Sequence, residues 1–419
     1  MRVTIEKLAP TGEGITRTSD GVGFIPGVLP GEEVEAEIRE LKKNFWRGEA
    51  LEIQKSSPQR LSGPHASCAG CDWAYFERDA ALQAKRSLFL ETMERIGGQA
   101  PEVFGSLPVE SSPARYRIRS RLHVSGSGSH TVLGYFVPRS HRVEPLTDCE
   151  ALSRQTVELL PRIREAIASS GARVAEVSLL ETPDSLHRLG RFLLDGNSAA
   201  APRLIAEMTS VLDGVSVVEG EQLLRQEGEP RLMVEVCGRT FPLSVDTFFQ
   251  ANKYLVGRLY EHVRDLAREI PAGRALDAFG GNGLFAGALL DAGHQVTTVE
   301  AGRSAIRDAQ AARSLWSDGQ SWDIVASPVS SFAVRDSTDF DLAVVDPPRA
   351  GLGRELAAVL AQRIPRRILY VSCEPATLAR DLTTILGSNY QILSARLYDQ
   401  FGGTHRVEAI VALEKKGSA

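Results

Sequence analysis

Abundant cysteine, long apolar runs and a dominant charge are all missing from this chain of 419 residues. Its five cysteines are few and odd in number. That fits no disulfide framework and suits a reducing compartment, where thiols serve metals, chemistry or packing. No stretch approaches the ~20 apolar residues of a bilayer span, and residues 1–14 carry Arg2, Glu6 and Lys7 without an apolar signal segment. A cytoplasmic location with no membrane partner is expected. Lys plus Arg number 48 against 53 Asp plus Glu, a net charge of -5, so any nucleic-acid site must be a local patch on a mildly acidic body. Internal repeats and low-complexity tracts are absent too. With 43% hydrophobic and 24% charged residues, a disordered chain, a collagenous repeat and a coiled-coil rod are excluded.

At ~150 residues per domain the length allows two or three domains, and the patterning divides it into three. Residues 1–57 hold short strand-like runs at 3–8, 23–25, 34–38 and 49–53, broken by turn signals at 10–14 and 26–31. They predict a small β-barrel. Within it Leu41-Lys42-Lys43-Asn44-Phe45-Trp46-Arg47 mixes cations with aromatics, which suits phosphate contact and base stacking, or else a solvated edge with two half-buried rings. Residues 58–240 open with a Ser-, Pro- and Gly-rich stretch. A helix over 79–96 ending at Gly97-Gly98 follows, then helices over 153–169 and 201–212 and β-like runs at 174–180 and 232–237, the mixture of a separate α/β domain. Residues 241–419 alternate strand, Gly-rich loop and helix, the pattern of a doubly wound, Rossmann-like parallel sheet. The fold class is therefore multidomain α/β.

Arg115, Arg117, Arg119 and Arg121 alternate with Tyr116, Ile118, Ser120 and Leu122. A strand here would put four guanidiniums on one face, and something anionic should lie against them, either RNA phosphate or acidic side chains of a neighbouring element.

Gly281-Asn282-Gly283-Leu284-Phe285-Ala286 matches G-x-G-x-x-G/A between a strand and a helix, and Glu300 falls at the end of the next strand, where a carboxylate can accept both ribose hydroxyls of NAD or of S-adenosylmethionine. Asp277 separates the two ligands. A carboxylate just before the loop repels a pyrophosphate but attracts a methionine ammonium, which favours S-adenosylmethionine. The plainer reading of Asp277 is a turn or capping carboxylate.

Two further strands deliver chemistry to the same sheet edge. One ends in Asp346-Pro347-Pro348-Arg349, an acid followed by rigid backbone. The other ends in Ser372-Cys373-Glu374-Pro375 and leads into a helix with Arg380. Carbon 5 of a pyrimidine is a poor nucleophile. An enzyme that methylates it needs a thiolate to add at carbon 6 and a base to take the carbon 5 proton. Cys373 meets the first need, and Glu408, within Thr404-His405-Arg406-Val407-Glu408, the second; the alternatives are a buried inert thiol and an ordinary paired carboxylate.

Together with Phe248-Phe249-Gln250-Ala251-Asn252, these motifs occur in an order that resembles the bacterial RNA uridine carbon-5 methyltransferases over nearly the whole chain. That family has an N-terminal TRAM barrel of OB-like kind, a central RNA-binding domain and a C-terminal S-adenosylmethionine domain. The resemblance implies Cys373 as nucleophile and Glu408 as general base, with Gln250, Phe279, Glu300 and Asp346 lining the cofactor beside Asp277 and Gly281. Ribosomal RNA, in particular 23S, is the implied partner, because the barrel and the Cys-x2-Cys segment belong to that branch, and a monomer is expected. A transfer-RNA enzyme, a non-catalytic RNA-binding protein and, more distantly, a nicotinamide oxidoreductase are the alternatives. Phe248 and Phe249 read as core residues.

Several positions depart from the family pattern. Gly280-Gly281 replaces Cys-Gly, Glu374 replaces Asn, Arg406 replaces His, and the acidic residue expected near adenine falls at Ser327-Pro328. Glu374 should raise the pKa of Cys373 unless Arg349 or Arg380 offsets it. Cofactor affinity or pH dependence should therefore be altered. Cys68, Cys71 and Cys149 resemble the ligands of a 4Fe-4S cluster found in some members, whose first ligand falls at Ser62. His65 could complete the set, which would also suit zinc; otherwise these are three packed thiols. Cys237, in an apolar run, reads as a core residue.

Overall fold

The computed structural model describes residues 1–62, 69–138, 140–335, 339–364 and 366–417. Six strands fill the N-terminal region, ordered Arg2–Thr4, Glu33–Leu41, Phe45–Lys55, Gly21–Ile25, Gly14–Thr18 and Lys7–Leu8. The two edge strands are consecutive in the chain, so the sheet curls round on itself as a barrel. Its core is Val3, Ile5, Ile25, Val28, Val34, Ala36 and Trp46. A Cβ on Gly23 would lie 2.2 Å from the Trp46 ring, and glycine there lets the indole cross the barrel. Trp46 is therefore core and not a stacking platform, and its Nε1 donates to Thr18 Oγ1 at 3.1 Å. Arg47 pairs with Glu13 at 2.8 Å, leaving Lys42, Lys43 and Asn44 exposed at the hairpin tip.

The middle of the chain forms a seven-stranded sheet, in the order Val143–Pro145, Val132–Phe136, Arg119–Ser125, Val174–Glu181, Arg188–Leu194, Gly214–Glu219 and Gln222–Gly228. Helices Arg154–Ser170 and Ala201–Met208 share its apolar core. The four arginines do not form one face. Arg115 has φ 60°, so the strand begins only at Arg119. Arg115 donates to Asp148 at 3.2 Å and to the Leu152 carbonyl, Arg119 donates to the Val245 carbonyl, and Arg121 pairs with Glu176 at 3.2 Å. Acidic side chains and carbonyls of neighbouring elements thus take up most of this charge.

The hairpin Leu232–Val236 and Arg239–Leu243 follows. Cys237 sits at its two-residue turn with φ 50°, before Gly238 at φ 83°. It is exposed, not core, because a turn with two positive φ values throws its side chains outward.

The last sheet has eight strands, in the order Trp322–Ala326, Gln295–Glu300, Arg274–Ala278, Leu342–Val345, Arg367–Ser372, Glu408–Lys415, Tyr390–Tyr398 and Val109–Glu110. The first five are parallel, and Glu408–Lys415 is antiparallel to its neighbours. The strand Trp322–Ala326 has no counterpart in the sequence reading, since its burial pattern lacks a clean period. Helix Arg78–Gly97 belongs with this sheet. It buries Phe89 and Met93 in the same core as Leu378 and Leu382, and a Cβ on its Gly97 would stand 3.2 Å from the Ala379 carbonyl. Gly98 ends it in the left-handed region, donating to Glu94 O. The three sequence blocks are therefore not three closed cores, because part of the middle block is built into the last. Among the described residues no helix is long and apolar enough to cross a membrane.

Candidate active site

Strand register gathers the candidate residues. Ala278 pairs with Val345, Val345 with Tyr370, and Ser372 with Ala409. Phe279, Asp346 and Cys373 each follow the last paired residue of a strand, while Glu408 precedes Ala409 on the antiparallel one. All four therefore emerge at one edge, on either side of the point where strand order reverses, which is where ligands bind in such sheets.

The glycine loop divides its labour. A Cβ on Gly280 would lie 2.1 Å from Asp277 Oδ2, and one on Gly283 would lie 2.3 Å from the Trp322 ring, so these two glycines serve the protein's own packing. Gly281, at φ 58°, has open space where its side chain would be. That is the one glycine of the three whose bare backbone faces a free volume. Its N–H donates to Glu300 Oε2 at 3.0 Å, while Glu300 Oε1 accepts from Ala301 at 2.7 Å. Phe279 turns into the loop at φ 62°, a conformation uncommon outside glycine and frequent at functional sites.

Asp277 lies fully buried beneath this loop. One oxygen accepts from Thr298 Oγ1 at 3.0 Å, which in turn accepts from Trp322 Nε1 at 2.8 Å. Among the described residues the other oxygen has no hydrogen-bond partner, and neither does the buried Nδ2 of Asn282. Burial pushes the Asp277 carboxyl up to about 7. An unpaired acceptor and an unpaired donor under an open glycine fit a ligand carrying both ammonium and carboxylate groups, such as an amino-acid-bearing nucleoside.

Cys373 is partly buried. Its pKa is pushed up to about 11, first by burial, then by the carboxyls of Glu408 and Asp346; the Arg349 guanidinium opposes them and Glu374 adds the smallest increment. Glu374 is thus a minor influence on the thiol. Of the two offsetting arginines, Arg349 acts and Arg380 does not, because Arg380 is bound to Asp381 at 2.9 Å and to the Ala350 carbonyl at 2.7 Å. Asp381 also accepts from Leu352 N, Gly353 N and Tyr370 Oη. That node fixes the turn carrying Pro347, Pro348 and Arg349. Glu408 is buried and Asp346 partly so; desolvation raises both carboxyls, with the charge of Asp346 adding to it at Glu408 and that of Asp277 at Asp346. Arg406 is half-buried within the field of Arg349, Glu374, Asp72 and Cys373.

Gln250 is 5% exposed, and its Nε2 reaches Asp346 Oδ2 at 3.5 Å. Phe249 is core, but Phe248 is 64% exposed. Adjacent residues on an extended segment point to opposite sides, so only one of the pair can be core. Asn252, wholly buried, accepts from Ser112 Oγ at 3.2 Å and from Tyr254 N at 3.1 Å, and donates to the Gln400 carbonyl. Ser327 follows the strand Trp322–Ala326, its N–H on the Glu300 carbonyl at 2.9 Å. That locates the uncharged Ser327-Pro328 pair beside Glu300.

Sequence reasoning missed the strap over residues 399–407, which leads into Glu408. Lys85, 2% exposed, pairs with Asp399 and donates to the Phe401 carbonyl at 3.3 Å. Tyr116 Oη donates to the Gly402 carbonyl at 3.0 Å, and Trp73 N to Gly403 O at 2.9 Å. His405 pairs with Asp72, and Trp73 Nε1 reaches Gly12 O of the barrel at 2.9 Å. No periodicity marks this strap, and a Lys buried against an Asp 314 positions away leaves no local trace. Cys71 and Cys149 pack in one cluster with Tyr116 and Leu152. Cys68 and His65 lie outside the described residues, Ser62 is exposed, and among the described residues no group of three ligands could hold a metal.

Residues 333–416 match the family described as tRNA (Uracil-5-)-methyltransferase, and residues 1–51 match the TRAM domain. An uncharacterized RNA methyltransferase of Streptomyces avermitilis is 31% identical across 98% of this chain and 97% of its own. One from Gloeobacter violaceus is 29% identical across 99% and 96%. Among solved structures, the tRNA (uracil-54, C5)-methyltransferase of Pyrococcus abyssi, in complex with S-adenosyl-L-homocysteine, superposes with a TM-score of 0.77 at 24% identity, covering 99% of this chain and 100% of that one. The shared fold is that of a methyltransferase with a Rossmann-like core. The chain belongs to the RNA uracil-C5 methyltransferase family.

Proposed function

We propose that this family member methylates carbon 5 of a uridine in ribosomal RNA, in the 23S molecule, with S-adenosylmethionine as donor and through a covalent bond between Cys373 and carbon 6. The observation that carries the reading is the register that brings Cys373, Glu408 and Asp346 together at the sheet edge beside the glycine loop. Gly281, Glu300, Asp277, Phe279, Asp346 and Gln250 are the residues we assign to the cofactor. Bound there, it supplies a methyl group on a positively charged sulfur.

The chain's own groups do the rest. The Cys373 thiol gives up its proton to solvent, Sγ bonds to carbon 6, and the electrons of the 5,6 double bond move toward carbon 5 and O4. Carbon 5 then takes the methyl group. A carboxyl raised by burial is a stronger base once ionised, so Glu408 removes the carbon 5 proton, the double bond re-forms and the thiolate leaves. In the resting protein the thiol holds its proton, and Arg349 is the cation placed to stabilise the thiolate as it forms.

RNA containing 5-fluorouridine has no carbon 5 proton to lose and should trap the adduct. The trapped complex should form with the protein and be lost in Cys373→Ala. Mass mapping of nucleosides from ribosomal and transfer RNA of a deletion strain identifies the substrate, and a missing methyl group in transfer RNA alone would replace the ribosomal assignment. Cys68, Cys71 and Cys149 we assign to an iron-sulfur site with a fourth ligand from Ser62 or His65. Two of these thiols, Cys71 and Cys149, lie among the described residues; iron and sulfide content of anaerobically purified protein tests the assignment, and zinc in their place would overturn it.

A further inference from the structure

Helices cover the seven-stranded sheet on one side, where Leu122, Val177, Phe192 and Val217 form a row across four strands. Side chains alternate along a strand, so Arg119, Arg121 and His123 face away from the helices. The row of Arg119, Leu180 and Leu189 is closed off: the two leucines share a core with Leu232 and Phe241, and Arg119 donates to the Val245 carbonyl. The row of Arg121 is open. Register sets Arg121 beside Ser178, Ser178 beside Arg191, Arg191 beside Ser216 and Ser216 beside Gln226. Arg121 and Gln226 are exposed, and Arg191 and Ser216 are half-buried.

Three rings stand at one end of this row. His123 stacks on Phe136 with centroids 3.8 Å apart and planes at 19°, and His141 meets Phe136 edge-on at 5.9 Å. Phe136 and His141 are exposed. The nearby cations are free to bind. Arg121 keeps 70% of its side chain exposed in its pair with Glu176, and an ion pair that open to water contributes little. Among the described residues Arg191 makes no hydrogen bond or ion pair. At its other end the row enters a cleft of about 460 Å³ shared with Asp246 and Arg307, the latter on the helix Arg303–Leu315 that follows Glu300. Asp246 is taken by Ser304 at 2.6 Å. Glu221 and Glu229 line the cleft as well, so its cations act by contact and not through a net field.

Flat rings beside spaced guanidiniums, hydroxyls and an amide suit an unpaired nucleic-acid strand, whose bases stack on the rings while its phosphates meet the cations. A duplex keeps its base faces stacked and would leave Phe136 unused. An acidic peptide would meet the arginines but not the rings. We propose that this open sheet face docks a single-stranded stretch of the substrate RNA, with a base on Phe136 and phosphates at Arg121 and Arg191. From the reading under Proposed function it takes only that the substrate is RNA.

The test measures binding by fluorescence anisotropy with the full-length protein, using a labelled single-stranded uridine RNA of about 12 nucleotides and an RNA duplex of the same length. Wild type should prefer the single strand. Phe136→Ala should weaken that strand about ten-fold and leave the duplex unaffected. Arg121→Gln together with Arg191→Gln should lower the slope of log affinity against log salt by about 1.4. In methyl transfer to a 23S transcript both variants should raise KM for RNA and leave kcat unchanged, since none of these residues belongs to the reacting centre. Unchanged single-strand affinity in Phe136→Ala, a loss in kcat alone, or a duplex that competes as well as the single strand would each overturn the proposal. Displacement of the strand by polyglutamate at equal strength would overturn it in favour of an acidic protein partner. Phe136→Leu keeps the apolar volume without the ring should the Ala variant fail to fold, and wild-type affinity in it would reduce Phe136 to packing. A wild type that shows these losses yet forms no adduct with 5-fluorouridine RNA would overturn the uridine reading and leave the docking surface standing.

Discussion

Two buried clusters of charge stand at opposite ends of one short strap and follow opposite rules. Asp399, at its start, is matched by Lys85, and both are almost wholly enclosed. Glu408, at its end, shares the interior with Asp346 and the Cys373 thiol, and no cation among the described residues makes a hydrogen bond to that carboxyl. Burial drives each of the three toward its neutral form, and the charge of Asp346 adds to it at Glu408, that of Asp277 at Asp346, and those of Glu408 and Asp346 at the thiol. The first cluster anchors. The second keeps protons poised at a sheet edge, an arrangement costly to stability and useful for proton transfer. The Lys85 pair holds the strap so that the strained end has a defined geometry.

The contrast predicts different losses at the two ends. Cys373→Ala should lower methyl transfer to RNA by ~10^4-fold or more while leaving the urea midpoint close to wild type, because a partly exposed thiol gives up little packing. A folded, fully active Cys373→Ala would break the comparison outright. Lys85→Met should do the reverse in kind: it strands Asp399 and costs about 3–5 kcal/mol of stability, measured by urea denaturation. Pairing it with Asp399→Leu should recover most of that loss.

The pH dependence is sharper evidence for the uncompensated end. Asp277 is raised from 3.8 to about 7, so the native state holds a proton that the unfolded chain releases. Its contribution to stability is fully present below pH ~4 and is lost as pH rises through about 7. Urea midpoints across pH 4–8 should fall with pH, and Asp277→Asn should flatten the fall. Glu408→Gln removes the largest charge acting on the thiol. The pKa read from iodoacetamide alkylation of Cys373 should drop below about 11, and covalent complexes with ordinary RNA should accumulate because the carbon 5 proton stays. The smallest effect is expected at Cys237→Ser, within about 0.5 kcal/mol of wild type, since that thiol sits at an exposed turn.

Much of the site was legible because its residues lie at the ends of strands with strong local signatures. Gly281, Glu300, Asp346, Cys373 and Glu408 each follow or precede an apolar run whose direction the sequence reveals. The misreadings share a cause as well. Their neighbours' polarity misplaces Cys237, Phe248 and Trp46, since a turn with two positive φ values, an extended dipeptide and the bare Gly23 decide where their side chains go. The arginine row failed as a face because Arg115 adopts a left-handed conformation, which no composition announces.

By itself the sequence determined the order of the elements, the glycine loop and the delivery of Asp346, Cys373 and Glu408 to strand ends, since these depend on residues close together in the chain. Only the tertiary structure decided which groups share an interior: Lys85 with Asp399, Gln400 with Gln250, Arg349 rather than Arg380 with Cys373. Burial sets both the cost of a charge and the strength of its neighbours' field, and burial is a property of the packed chain that no local pattern carries.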